Sequence, residues 1–130
     1  MNVYVATKWE NKDGARAAMA TMRAAGHTIT HDWTAVEEAG ANLAECAIDD
    51  VDGVERADVL LLIPHAGIKG AWVEMGVAIA NFIPVLIIDN PWARKCIFEH
   101  LPGVVHVADV EAAIAWLAEY QGQLAGTPKA

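Results

Sequence analysis

Two stretches of this chain, Val59–Ile63 (VLLLI) and Pro84–Ile88 (PVLII), have no polar side chain at any position. A strand covered on one face alternates apolar and polar residues, because successive side chains point to opposite sides. A strand without polar positions is covered on both faces, the mark of a parallel sheet held between helices. The flanking sequence supplies those helices. Asn2–Ala6 reads as a first strand, Lys12–Ala25 as a helix closed by Gly26 in the left-handed cap position, and His27–His31 as a short second strand. Asp32–Asn42 reads as loop with a helical turn, and Leu43–Arg56 as a helix leading into the strand Val59–Ile63. Loop Pro64–Lys69, helix Gly70–Phe82 and strand Pro84–Ile88 follow, then a break at Asp89–Pro91 and a short helix within Arg94–His100. Strand Val104–Val107, helix Val110–Tyr120 and a frayed tail over Gln121–Ala130 complete the pattern.

Strands and helices in alternation predict a single α/β domain over residues 1–130, three layers thick and flavodoxin-like or Rossmann-like. Its parallel sheet of five strands takes the order 2-1-3-4-5. Such sheets bind ligands beyond the carboxyl ends of the strands, where the strand order reverses. That edge is formed by Thr7–Asp13, His65–Gly70 and Asp89–Trp92.

Composition narrows the function. A formal charge of −8, with no cluster of Lys and Arg, argues against a nucleic-acid polymer as partner but leaves a small nucleotide open. Hydrophobic residues make up 55% of the chain, yet no apolar run is long enough to span a membrane, and no signal-peptide pattern opens the sequence. A cytoplasmic protein is expected. Cys46 and Cys96 stand singly and the five histidines show no metal-ligand spacing, so neither a disulfide nor a metal is expected. The first strand leads into no glycine-rich dinucleotide or phosphate loop. The end of the third strand, Ile63-Pro64, lacks the Asp of a receiver domain.

Two acids stand out against this apolar background. Gly70–Ala80 (GAWVEMGVAIA) places Glu74 in a helix that is otherwise apolar, and an ionised carboxylate there is costly to desolvate. Its place near the helix start predicts support from the helix dipole and free backbone N–H groups of the first turn. In Leu43–Arg56, taken at 100° per residue, Leu43, Ala47, Val51 and Val54 form a stripe about 80° wide. Asp50 falls about 20° outside that stripe, whereas Asp49 and Asp52 point away. Two half-buried carboxylates from consecutive units fit paired-acid chemistry, in which the surroundings give the two groups different roles.

The segment from Asp50 to Gly76, with VYVA at Val3–Ala6, resembles the nucleoside 2-deoxyribosyltransferase family and its relatives, the 2'-deoxynucleoside 5'-phosphate N-hydrolases. The family pattern has an Asp eight residues before the Asp that opens the third strand and a Glu sixteen residues after it; Asp50, Asp58 and Glu74 keep both spacings. Gly70, Glu74 and Gly76 meet its G-x-x-x-E-x-G signature, and Tyr4 matches its first-strand Tyr. The resemblance implies that Glu74 is a nucleophile forming a covalent glycosyl ester, Asp50 the acid/base and Tyr4 the hydroxyl that positions Glu74. It also implies a nucleoside or nucleotide substrate, no cofactor, and a homodimer or larger homo-oligomer. Transfer of the sugar to a second base is the first reading and hydrolysis the second. A nucleotide-binding module without catalysis is the rival from another class.

Substrate contacts are expected from Thr7, Lys8, Trp9, His65, Gly67, Ile68, Gly70 and Trp72 along the predicted edge, with Trp92 beside them. Indoles there can stack on a base. Lys8, Lys69 and Arg94 are candidate phosphate contacts. Ile68 stands where the resembled families carry a polar residue, and Ile97, Phe98 and Glu99 stand where the hydrolases carry a Ser for the 5'-phosphate. Those departures imply a substrate unlike the standard ones.

Overall fold

The structure is a computed structural model that describes residues 1–36 and 42–126. Five parallel strands form one sheet in the order β2-β1-β3-β4-β5, as the alternation predicts. The strands are β1 (Asn2–Ala6), β2 (Thr28–Ile29), β3 (Val59–Leu62), β4 (Val85–Ile88) and β5 (Val104–Val107). The helices are α1 (Lys12–Ala24), α2 (Leu43–Glu55), α3 (Gly70–Ala80) and α4 (Val110–Gly126).

The period of two along each strand divides the core. Val3, Val5, Val59, Leu61 and Leu86 face α1 and α4, where they meet Ala15, Met19, Met22, Ala113 and Leu117. Tyr4, Ala6, Leu60, Leu62 and Ile87 face the opposite layer and pack with Val54 of α2 and Ala71, Met75 and Ala78 of α3. Tyr4 is therefore directed between the two acid-bearing helices by its position on β1.

Several boundaries differ from the sequence expectations. The last helix runs on to Gly126, so Gln121–Gly126 is helical rather than frayed, and residues 127–130 lie outside the described residues. The second strand shrinks to Thr28–Ile29; past it the Thr30 carbonyl accepts from Arg56 at the end of α2 (2.8 Å) and its hydroxyl donates to the Gly53 carbonyl (2.6 Å). Within Arg94–His100 a 3-10 turn forms over Ile97–His100, while Arg94 takes a left-handed φ of 65°. Buried Glu99 accepts the backbone N–H groups of Arg94 and Cys96 and contacts His106, which fixes that loop. The helix after β3 ends at Ala80, and Phe82, with φ 58°, turns the chain toward β4.

The predicted stripe on α2 is buried only toward its C-terminal end. Val54 is fully buried and Val51 half-buried, but Ala47 is exposed and Leu43 is 81% exposed. The N-terminal half of α2 borders an open cleft, so its apolar phase meets no sheet there. The same holds for α3, whose Val73 is 66% exposed although its composition predicts burial nearly all round.

Candidate active site

The crevice opens at the carboxyl ends of β1 and β3, where the strand order reverses. Thr7 follows β1 directly, and its hydroxyl donates to the Ile63 carbonyl at 2.8 Å. Lys8 donates from Nζ to the Ala66 carbonyl at 2.9 Å, tying the same two loops. Gly67 takes a φ of 69°, a left-handed turn that few side chains tolerate.

Glu74 receives a hydrogen bond from the Tyr4 hydroxyl, on Oε2. It lies beyond the first turn of α3, which holds no acidic residue, so the free N–H groups of the helix start are not what support it. That corrects the expectation from sequence. Burial raises the Glu74 carboxyl from its ordinary 4.5 to about 7; the Tyr4 hydrogen bond works against the rise and the Asp50 charge adds to it. Burial, the Glu74 charge and hydrogen bond, and the Asp50 charge all drive the Tyr4 phenol well above its ordinary value. Tyr4 thus remains a hydrogen-bond donor throughout the working pH range.

Asp50 comes from α2 on the adjoining wall. It is half-buried, while Asp49 and Asp52 are exposed, and Asp52 is paired with Arg56 at 2.7 Å. The helical phase read from sequence therefore singles out the one of the three acids that is half-buried. Burial raises the Asp50 carboxyl; the neighbouring His31 lowers it and Asp49 raises it. His31 Nε2 stands 3.4 Å from Asp50 Oδ1.

Asp50 and Glu74 face one cleft of about 590 Å³, within the usual size range for a small-molecule site. Of the residues expected at the substrate, Thr7, Lys8, Trp9, Gly67 and Gly70 line it. His65, Ile68 and Trp72 do not. Ile68 is 7% exposed and packs in the core, Trp72 packs against the same core cluster, and His65 stacks on Trp92 with ring centroids 5.0 Å apart. An apolar wall missed from sequence is made by Trp33, Val36, Leu43 and Cys46. Trp33 is held by its Nε1–H, which donates to the Val5 carbonyl at 2.7 Å, and its ring lies 6.2 Å from that of Trp9. Its place just beyond the second strand, beside the predicted edge, is the signal that could have found it. Lys69 also lines the cleft, whereas Arg94 is paired with Asp89 at 3.1 Å.

Among the described residues, no group of His, Cys, Asp or Glu is arranged to hold a metal ion, and no helix is long and apolar enough to cross a membrane.

No protein-family model matches the sequence, and no curated protein matches it. Solved structures do. The CMP N-glycosidase BcmB of Clostridium botulinum superposes with a TM-score of 0.66 at 16% identity, over 92% of this chain and 100% of that one. A 2-deoxyribosyltransferase of Bacillus psychrosaccharolyticus gives 0.64 at 16% identity, over 88% of this chain and 90% of that one. This chain shares their fold. The neighbours fall on both sides of the resemblance drawn from the Asp50, Glu74 and Tyr4 spacing.

Proposed function

We propose that this protein is an enzyme that cleaves the N-glycosidic bond of a nucleoside or nucleoside 5'-monophosphate through a glycosyl ester on Glu74. The observation that carries the reading is the Tyr4–Glu74 hydrogen bond at the base of a cleft that Asp50 also faces. In the first step an ionised Glu74 oxygen attacks the anomeric carbon as the carbon–nitrogen bond breaks. The bonding pair leaves with the base, and Asp50 supplies the proton that neutralises it. In the second step an incoming nucleophile attacks the same carbon, the ester bond breaks and Glu74 regains its charge. Asp50 takes the proton that the nucleophile loses. Tyr4 directs one Glu74 oxygen and leaves the other for the sugar.

The first reading of the second step is transfer of the sugar to another base. Hydrolysis is the alternative, favoured by the likeness to a CMP N-glycosidase. The apolar wall of Trp33, Val36, Leu43 and Cys46, with Trp9, suits the flat face of a base. Lys8 and Lys69 are the candidates for a phosphate. A homo-oligomer in the cytoplasm, with a neighbouring chain completing the cleft, belongs to the same reading.

The test is incubation with a panel of nucleosides and nucleoside monophosphates, with and without an acceptor base, with the products separated by chromatography. Release of free base supports the reading, and a new nucleoside formed with the acceptor identifies transfer. A protein that binds panel members yet releases no base is a binding module instead.

A further inference from the structure

We propose that His31 is a positioning residue for Asp50, holding the carboxylate in the orientation that meets the leaving base. This rests on the reading of Asp50 as the acid. The contact is His31 Nε2 to Asp50 Oδ1 at 3.4 Å, between side chains that are 22% and 32% exposed.

The chain places His31 by several independent ties. Thr30 donates from its backbone N–H to the Val3 carbonyl at 3.1 Å and from its hydroxyl to the Gly53 carbonyl at 2.6 Å. Arg56 at the end of α2 donates from Nη2 to the Thr30 carbonyl at 2.8 Å. The end of β2 is thereby fastened to both β1 and α2. Gly53 makes the close approach possible: a Cβ there would lie 2.7 Å from His31 Cβ and 3.1 Å from two carbons of the Tyr4 ring. The helix that carries Asp50 thus rests on His31 and on Tyr4, each of which contacts one of the two acids.

The ionisable groups around Asp50 are His31 from the end of β2, Tyr4 from β1, Glu74 from α3 and Asp49 from its own helix. His31 is the basic member of that set. Engaging one Asp50 oxygen leaves the other for the substrate. When Asp50 gives its proton to the departing base, the carboxylate left behind has the imidazole as partner. Without His31 the Asp50 side chain is free to rotate, and a misplaced acid slows the step more than it weakens binding.

The experiment pairs His31→Ala and His31→Gln with Asp50→Asn, with CMP and 2'-deoxycytidine as probes. His31→Ala is expected to lower kcat by about tenfold or more with KM changed by no more than about twofold. His31→Gln restores most of the loss, since its amide places a donor where Nε2 stands. In an Asp50→Asn background His31→Ala adds nothing. Carboxyl 13C NMR gives a reading that needs no turnover: removal of His31 moves the Asp50 titration to higher pH. Equal fractional losses in both backgrounds, or an unmoved Asp50 titration in a folded His31→Ala protein, overturn the proposal. If no member of the nucleoside and nucleoside monophosphate panel is cleaved by any chain while the Asp50 titration moves, the contact stands and the enzymatic reading falls. Should His31→Ala fail to fold, His31→Asn, with a shorter reach, replaces it in every arm.

Discussion

Tyr4 and Glu74 stand 70 positions apart in the chain and meet in one hydrogen bond between the innermost strands and α3. The phenol faces that way because Tyr4 is an even-numbered residue on β1, sharing its face with Ala6 and opposing Val3 and Val5. A shift of one residue along β1 would turn the phenol toward α1 and leave Glu74 without its donor.

Glu74→Gln should reduce glycosidic turnover by about a thousandfold or more, because the amide cannot form the ester. It should also stabilise the protein in mild alkali. The folded carboxyl titrates near 7 rather than 4.5, so its favourable, protonated burial is complete below 4.5 and lost as pH rises through 7. That loss is on the order of 3 kcal/mol. Denaturant unfolding at pH 8 should show Glu74→Gln more stable than the parent, with the difference closing at pH 4. A Gln variant less stable at pH 8 contradicts the assignment.

The acid limb of kcat/KM should have its midpoint near 7, where Glu74 loses its proton. Tyr4→Phe removes a hydrogen bond that lowers the Glu74 value and should move the limb to higher pH. Asp50→Asn removes a charge that raises it and should move the limb to lower pH, alongside its loss in rate. Limbs that move in the same direction would show that another group governs the profile.

Asp50→Asn should slow turnover by about a hundredfold or more. Asp49→Asn and Asp52→Asn, both at exposed positions, should stay within about twofold of the parent. Comparable losses in all three would mean that Asp50 does not act on the substrate.

Gly53→Ala inserts a methyl group against His31 and the Tyr4 ring. Overpacking costs about 1–3 kcal/mol, and replacing a helical glycine by alanine returns about 1 kcal/mol. The net stability loss should be modest, with Tm lower by a few degrees. Activity should suffer more, because α2 must shift relative to both Tyr4 and His31. Full activity at lowered Tm would show that the site tolerates the displacement.

The exposed apolar side chains Ile48 (66%) and Val73 (66%) lie on neighbouring helices α2 and α3, and Leu43 (81%) borders the cleft on α2. Burying them in a homo-oligomer should produce a species larger than one chain in light scattering at assay concentration, and Val73→Lys should shift it toward the single chain. A fully active single chain in the parent protein counts against this assembly.

Much of the fold was legible in the sequence, because VLLLI and PVLII admit few environments. The phase of Leu43–Arg56 picked Asp50 out of three neighbouring acids. Phase gives the direction of a side chain but not the depth of cover along a helix, so the stripe of Leu43, Ala47, Val51 and Val54 is covered only toward its C-terminal end. Glu74 is visible in the sequence as the one acid of an apolar helix, but its contact with Tyr4 depends on how β1 packs on α3, which the helix start does not reveal. His31, Gly53 and Trp33 belong to no local pattern. Their roles arise where the end of β2 meets α2 and β1, a juxtaposition made by the crossover.

The cleft is built from two kinds of material. Tyr4, the C-terminal half of α2 and α3 are packed against the sheet, whereas Leu43 and Cys46 sit on the half of α2 that leaves it, with Val36 on the preceding loop. Changes at Val36, Leu43 or Cys46 therefore alter what the cleft admits without disturbing the registers that bring Tyr4, Asp50 and Glu74 together. On the proposed reading, a lineage carrying this fold can exchange one leaving group for another in small steps while Tyr4, Asp50 and Glu74 keep their places.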